Sequence, residues 1–299
     1  MSAAGRRPNA IYDGYVFDLD GTLYVGEEPI QGAAEVIAGL RAAGARVAFL
    51  TNNPLELPID YARKLRRLNI PVADDEVVSS TDALVRYLEE HAPDARIFAI
   101  AEPLLISVLT SANFRMTADP DRTDVVVVSF DRSFHYDKLR TAFLAVRAGA
   151  RIVATNPDPY CPSPDGGLPD CGAILAALEV ATGIRAEAVV GKPSALMAAA
   201  VLDRLGTEPS KTLLVGDRLE TDIRMARKAG MRAALVMTGV TTVADLAATD
   251  ERPDLILQSV ADLLLAVAVE EVALLPAKES KKPKARAARA GLPFADDET

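Results

Sequence analysis

Cysteine is scarce. Cys161 and Cys171 are the only two in 299 residues. Two thiols in one Pro/Gly-rich loop are too few for a disulfide framework or for a zinc site of their own, so they read as reduced thiols. Positive charge is also short, with 33 Lys and Arg against 42 Asp and Glu, a net charge of -9 and a pI near 4.9. Nucleic acid and anionic membranes reward the opposite balance, so neither is expected as a partner. An anionic substrate would need positive charge gathered locally. Histidine is limited to His91 and His135, and neither stands beside a Ser or Cys motif, which leaves a hydrolytic triad unsupported. Long apolar runs are missing too. The longest near the end, Leu263 to Val269, is closed by Glu270 and Glu271, and the first ten residues carry no apolar signal core. A cytoplasmic protein is therefore expected.

What is present is an ordinary globular composition, 49% hydrophobic and 25% charged, enough for one large or two moderate domains. Short buried runs alternate with helical stripes, the pattern of a doubly wound α/β fold. Tyr15-Val16-Phe17, Arg46 to Leu50 and Glu76 to Ser79 read as the strands of a βαβαβ unit. Helices lie between them, one over Ala33, Val36, Ile37 and Leu40 and one over Pro58 to Leu68. From Thr81 new material follows: strands at Arg96 to Ala101, Asp124 to Phe130 and Arg151 to Thr155, with helices between. A loop containing four prolines runs from Asn156 to Gly167. The strands Ala188 to Val190, Thr212 to Val215, Ala233 to Met237 and Asp254 to Leu257 complete the set, and a helix is expected from Val260 to about Leu275. Beyond Pro276 the chain turns basic and then acidic, with almost no apolar surface to bury, and reads as a disordered tail.

Polar groups stand where strands end. Asp18 and Asp20 close the first run, and Gly21 breaks it. Two carboxylates this close repel each other, so a divalent cation, a shared proton or a distant lysine is expected to compensate. Thr51-Asn52-Asn53-Pro54 closes the second run, Gly191-Lys192-Pro193-Ser194 follows another, and Gly216-Asp217 with Asp222 follows the next. Each alone has a plain reading: an acidic turn, a helix cap, a surface lysine, a first-turn acid answering a helix dipole. Four in order at successive strand ends are far more specific than any one.

Together these motifs resemble the haloacid dehalogenase superfamily, and in detail its NagD-like phosphatases. The resemblance runs from about Tyr15 to Val260 and takes in Ala154-Thr155-Asn156-Pro157-Asp158 and Cys171-Gly172-Ala173. It implies a Rossmann-like doubly wound parallel-sheet core over residues 10–80 and 186–275, an inserted α/β cap over 81–185, and a tail over 276–299. It also implies a Mg²⁺-dependent phosphatase that hydrolyses phosphomonoesters of small metabolites through an aspartyl phosphate. Asp18 would be the nucleophile and Asp20 the general acid and base. Thr51, Asn52 and Lys192 would hold the phosphate. Asp18, the Asp20 carbonyl and Asp217 would hold Mg²⁺, with Asp222 orienting waters or Lys192. The loop Asn156 to Asp170 is the candidate specificity loop of the cap, with Asn156 and Asp158 its candidate residues. Where many relatives place Ser, Arg or Thr after the Thr-Asn-Asn turn, this chain has Pro54-Leu55-Glu56-Leu57, which detaches that loop from the family's substrate contacts.

The expected partner is a small phosphorylated metabolite, and a homodimer remains open. A phosphomutase would use the same core residues. A receiver-like signalling module also joins an acidic pair, a Thr and a Lys, but it has no role for the long insertion or for Asp20.

Overall fold

Unbroken apolar runs, as opposed to alternating ones, mark strands covered on both faces. Gly14–Asp18 (β1) is buried at every position, and so are Val125–Val128 and Thr212–Gly216. The computed structural model describes residues 12–161 and 167–264. In chain order its strands are β1, a small hairpin of Tyr24–Val25 (β2) and Glu28–Pro29 (β3), Arg46–Thr51 (β4), Val77–Ser79 (β5), Arg96–Ile100 (β6), Arg115–Met116 (β7), Val125–Val128 (β8), Arg151–Ala154 (β9), a second hairpin of Tyr160–Cys161 (β10) and Leu168–Pro169 (β11), Ala188–Val189 (β12), Thr212–Gly216 (β13), Arg232–Val236 (β14) and Leu255–Leu257 (β15).

Two parallel sheets result. The first has the order β15-β14-β13-β1-β4-β5 and the second β12-β9-β8-β6-β7. In the first, the chain moves outward from β1 to β4 and β5, then returns on the other side through β13, β14 and β15. The order reverses beside β1, and in open α/β sheets ligands bind at the carboxyl edge of such a switch point. Register fixes what gathers there. Phe17 is paired with both Phe49 and Val215, and Asp18 with Leu50. Asp18, Thr51 and Asp217 therefore leave the sheet at one level.

The side chains of β1 alternate between two apolar layers. Tyr15 and Phe17 join Phe49, Val215 and Leu65 on one face. Val16 joins Leu50 and Leu214 on the other, and that layer continues through Leu84 and Leu88 of the helix Ser80–His91 to Ile97, Val125 and Val153 of the second sheet. The first and second sheets thus share buried apolar contacts, at about 25 cal/mol for each Å² withdrawn from water.

The expected strands are present, the two hairpins were not expected, and three further differences stand out. Ala188–Val189, placed by the sequence in the returning core, pairs with β9 and is an edge strand of the second sheet. Arg115–Met116 is a strand that two residues were too short to announce. Val260–Leu264, where a helix was expected to begin, is a 3-10 turn that packs against the first helix, Ala33–Ala42, and buries Val260 and Leu263. The rest of the expected terminal helix and the tail lie outside the described residues. Among the described residues no helix is long and apolar enough to cross a membrane.

Candidate active site

Three segments far apart in sequence converge on Lys192. Its Nζ donates to Asp18 Oδ1 at 2.5 Å and to Asp222 Oδ1 at 2.7 Å, and all three residues are buried. Burial works against charge on the lysine, but the two carboxylates outweigh it and hold its pKa above the ordinary value. Burial pushes the Asp18 carboxyl up, opposed by Lys192 and reinforced by Asp222 and Asp217. The other oxygen of Asp18 accepts the Thr22 hydroxyl at 3.1 Å.

Asp222 reaches Lys192 by an unexpected route. It lies on a π-helical turn, Leu219–Ile223, ahead of the short α-helix Arg224–Lys228, not on the first turn of that helix. The wide turn folds its carboxylate back over Gly216, where a Cβ would overlap it. There it also accepts the Arg218 amide at 3.1 Å.

Asp217 accepts the Val240 amide at 2.7 Å and is packed against the backbone of Gly21 and Gly239. A Cβ on Gly21 would stand 2.7 Å from its Oδ2, and Gly21 has a φ of +86°, which L side chains rarely adopt. Burial first, then Asp222, pushes the Asp217 carboxyl up to about 6. Carboxylate oxygens of Asp18, Asp217 and Asp222 lie within 4.8 Å of one another. Three buried acids against one lysine form an oxygen donor set with excess negative charge, which fits a hard divalent cation.

Asp20 is in a different setting. It accepts the Tyr24 phenol at 3.4 Å, and burial raises its pKa, opposed chiefly by Lys64. Lys64 itself sits 4.1 Å over the Tyr24 ring and pairs with Glu27 at 3.3 Å.

Asn52 is the junction between the sheets. Its Nδ2 donates to Asp158 Oδ2 at 2.9 Å and to the Lys192 carbonyl at 3.1 Å, and its Oδ1 accepts the Lys192 amide at 2.7 Å. Its own carbonyl accepts from Ser80 Oγ and Asn156 Nδ2. A Cβ on Gly191 would lie 2.6 Å from Asn52 Oδ1, so the Asn52–Lys192 pairing needs glycine before the lysine. The Thr51-Asn52 turn is not at a helix start, since the next helix begins at Pro58. Thr51 Oγ1 instead accepts the Asn53 amide at 3.1 Å.

Every residue of the sequence-based site except Asn156 and Asp222 lines one small cavity of about 50 Å³. Asp222 lies behind Lys192. Asn156 is fully buried, and its Oδ1 accepts the Asp158 amide, so it shapes the loop from behind. The cavity also contains Cys161 and Asp170, which lie in the expected specificity loop without having been singled out, and Arg218, which the sequence reading did not assign. Arg218 NH1 lies 3.6 Å from Asp158, and its NH2 donates to the Tyr160 carbonyl at 3.3 Å. A cation directly after Asp217 was the available signal for Arg218. Asp170 closes the loop expected to set specificity, but nothing in the pattern singled it out within that loop.

A buried carboxylate paired with a lysine, a second acid two residues on and an acidic cluster at a doubly wound switch point fit a phosphotransfer-type hydrolase site. Family models agree. Residues 15–115 match a haloacid dehalogenase-like hydrolase model and residues 189–263 a HAD-hydrolase-like one. The acid sugar phosphatase of Staphylococcus epidermidis is 38% identical over 257 residues, which is 86% of this chain and 97% of that protein. Among solved structures, the 4-nitrophenylphosphatase of Thermotoga maritima superposes with a TM-score of 0.80 at 33% identity, covering 87% of this chain and 98% of that one. The p-nitrophenyl phosphatase of Archaeoglobus fulgidus gives 0.78 at 32%, covering 86% and 99%. A protein described as nagD gives 0.77 at 32%, covering 85% and 98%. The chain belongs to the haloacid dehalogenase-like hydrolases, in their NagD-like branch.

Proposed function

We propose that this enzyme, a HAD-type phosphomonoesterase, hydrolyses phosphate esters of small metabolites through a phosphoryl group carried on Asp18. The observation that carries the reading is the 2.5 Å contact of Lys192 with Asp18 beside Asp222, which holds one carboxylate oxygen against a fixed cation at the sheet edge. An Asp18 oxygen attacks phosphorus, forming an acyl phosphate as the bond to the alcohol oxygen breaks. Asp20, held by a neutral phenol, gives the departing alkoxide a proton and then takes one from the water that cleaves the acyl phosphate. Lys192, Thr51 and the Asn52 amide offer the cation and hydrogen bonds that the phosphoryl oxygens need. Asp18, the Asp20 carbonyl and Asp217 would hold Mg²⁺. When bound, the ion supplies positive charge to the phosphoryl oxygens and to the acids around it.

In the same reading the first sheet is the catalytic core. The second sheet, essentially residues 81–185 together with β12, is a cap whose Asp158, Cys161 and Asp170 face the alcohol. Asp158 belongs to that specificity surface, and Asn156 supports it.

Release of phosphate from p-nitrophenyl phosphate, with Mg²⁺ and with chelator, tests the proposal. Turnover should require the metal and vanish in Asp18→Asn. An Asp18→Asn enzyme that still accumulates a phosphoenzyme would overturn the assignment.

A further inference from the structure

Six of the residues lining the cavity carry out no step of the chemistry above: Asn53, Asp158, Cys161, Asp170, Arg218 and Thr221. Any alcohol whose phosphate lies on Asp18 has these as its near neighbours. Their charge is uneven. Arg218 is the one cation, and it is engaged by Asp158 at 3.6 Å and by the Tyr160 carbonyl at 3.3 Å. Asp158 in turn holds Asn52. Lys64 faces the Tyr24 ring and Glu27 and is not among the lining residues. Cys161 is kept a neutral thiol, its pKa pushed up to about 11 by burial and then by Asp20 and Asp170.

Asp170 is the acid of this group that forms no ion pair among the described residues, and Arg218 acts on its charge only from a distance. It stands immediately before the helix Cys171–Thr182, and one oxygen accepts the Cys171 amide at 2.5 Å. It also bonds the Asn156 side chain. A carboxylate has about four acceptor positions, so it can still receive hydroxyl hydrogens. The residue is only 6% exposed, so a like charge placed against it is weakly screened.

We infer that Asp170 is a specificity-determining residue that selects phosphate esters of neutral, hydroxyl-bearing alcohols and rejects esters whose alcohol carries a carboxylate or a second phosphate. The inference rests on the phosphatase reading and narrows its substrate class. A hydroxylated alcohol donates to Asp170. An anionic alcohol meets Asp158 and Asp170, and among the described lining residues outside the chemical steps the one cation, Arg218, is already engaged.

The test is a matched pair, glycerol 3-phosphate and 3-phosphoglycerate, which differ by CH₂OH against COO⁻. The wild-type enzyme should favour the former by about tenfold or more in kcat/KM, the ratio expected of about 1.4 kcal/mol. Asp170→Asn keeps the helix cap and removes the charge. It should shrink that ratio about fivefold, with 3-phosphoglycerate gaining on the neutral ester. General damage to the enzyme cancels in the ratio. Asp170→Ser, which also keeps a capping oxygen, is read the same way if the Asn variant does not fold. A wild-type ratio clearly under tenfold, or a variant ratio within about twofold of the wild type, overturns the inference. Loss of the phosphatase reading itself is seen separately, as p-nitrophenyl phosphate turnover no faster than in Asp18→Asn.

Discussion

Lys192 has two acids and one charge, and its removal leaves both acids buried without a counter-charge. Breaking a buried pair from one side costs about 3–5 kcal/mol. Loss of one preorganised charge at a transition state costs about 10² to 10³ in rate. Lys192→Met is therefore expected to lower both the unfolding free energy and kcat, while Lys192→Arg restores part of the first and little of the second; denaturant unfolding and steady-state rates separate the two. Asp170 gives a cleaner pH signature. Burial first, helped by Asp158, pushes its carboxyl up to about 6 against 3.8 for an exposed aspartate. Because the folded-state pKa is the higher one, the stability contributed by the protonated form is complete below about pH 4 and is lost as pH rises through 6. The difference corresponds to about 3 kcal/mol. Asp170→Asn should match the wild type in stability near pH 4 and exceed it by up to about that amount near pH 7, measured by urea unfolding. An equal difference at both pH values would rule this out.

Between the sheets, Arg218 joins the turn after β13 to β10 and Asp158. A hydrogen bond to a charged partner contributes about 1.5–3 kcal/mol. Arg218→Ala should raise KM for p-nitrophenyl phosphate about tenfold with a smaller change in kcat, since it loosens the loop over the cavity and leaves Asp18, Asp20 and Lys192 in place; an unchanged KM would disprove the role. At this scale much was legible in the sequence. Runs such as Val125–Val128 have only one sensible reading, and Asp18, Thr51, Lys192 and Asp217 stand where those runs stop. Two kinds of detail were hidden. Ala188–Val189 is too short for its pattern to say which sheet it joins, because that depends on pairing with β9 across more than thirty residues. The π-helical turn that returns Asp222 to Lys192 differs from an α-helical turn by one residue of winding, which side-chain periodicity over five residues does not encode. Asp170 lay within the expected specificity loop, but its burial and partners come from loop packing, which the pattern does not encode.

Across the whole molecule, the layer running from Val16 through Leu84 to Val125 leaves no apolar seam along which the two sheets could part cheaply. Calorimetry should show one cooperative transition for both sheets. Mg²⁺ at 100 times its dissociation constant should raise stability by about 2.7 kcal/mol, hence the midpoint by several degrees. Chelator should reverse the shift, and Asp217→Asn should blunt it. A metal-independent midpoint would count against the acidic cluster as the binding site. The junction at Asn52 has a further consequence. A Cβ on Gly191 would lie 3.2 Å from Ser80 Cβ, so the chain departs for the second sheet and comes back from it through the same doorway. An insertion whose ends touch can be acquired, exchanged or enlarged without rethreading the sheet that receives it. If the second sheet is the cap proposed above, what rests on the first sheet's carboxyl edge belongs to one contiguous, exchangeable stretch of chain.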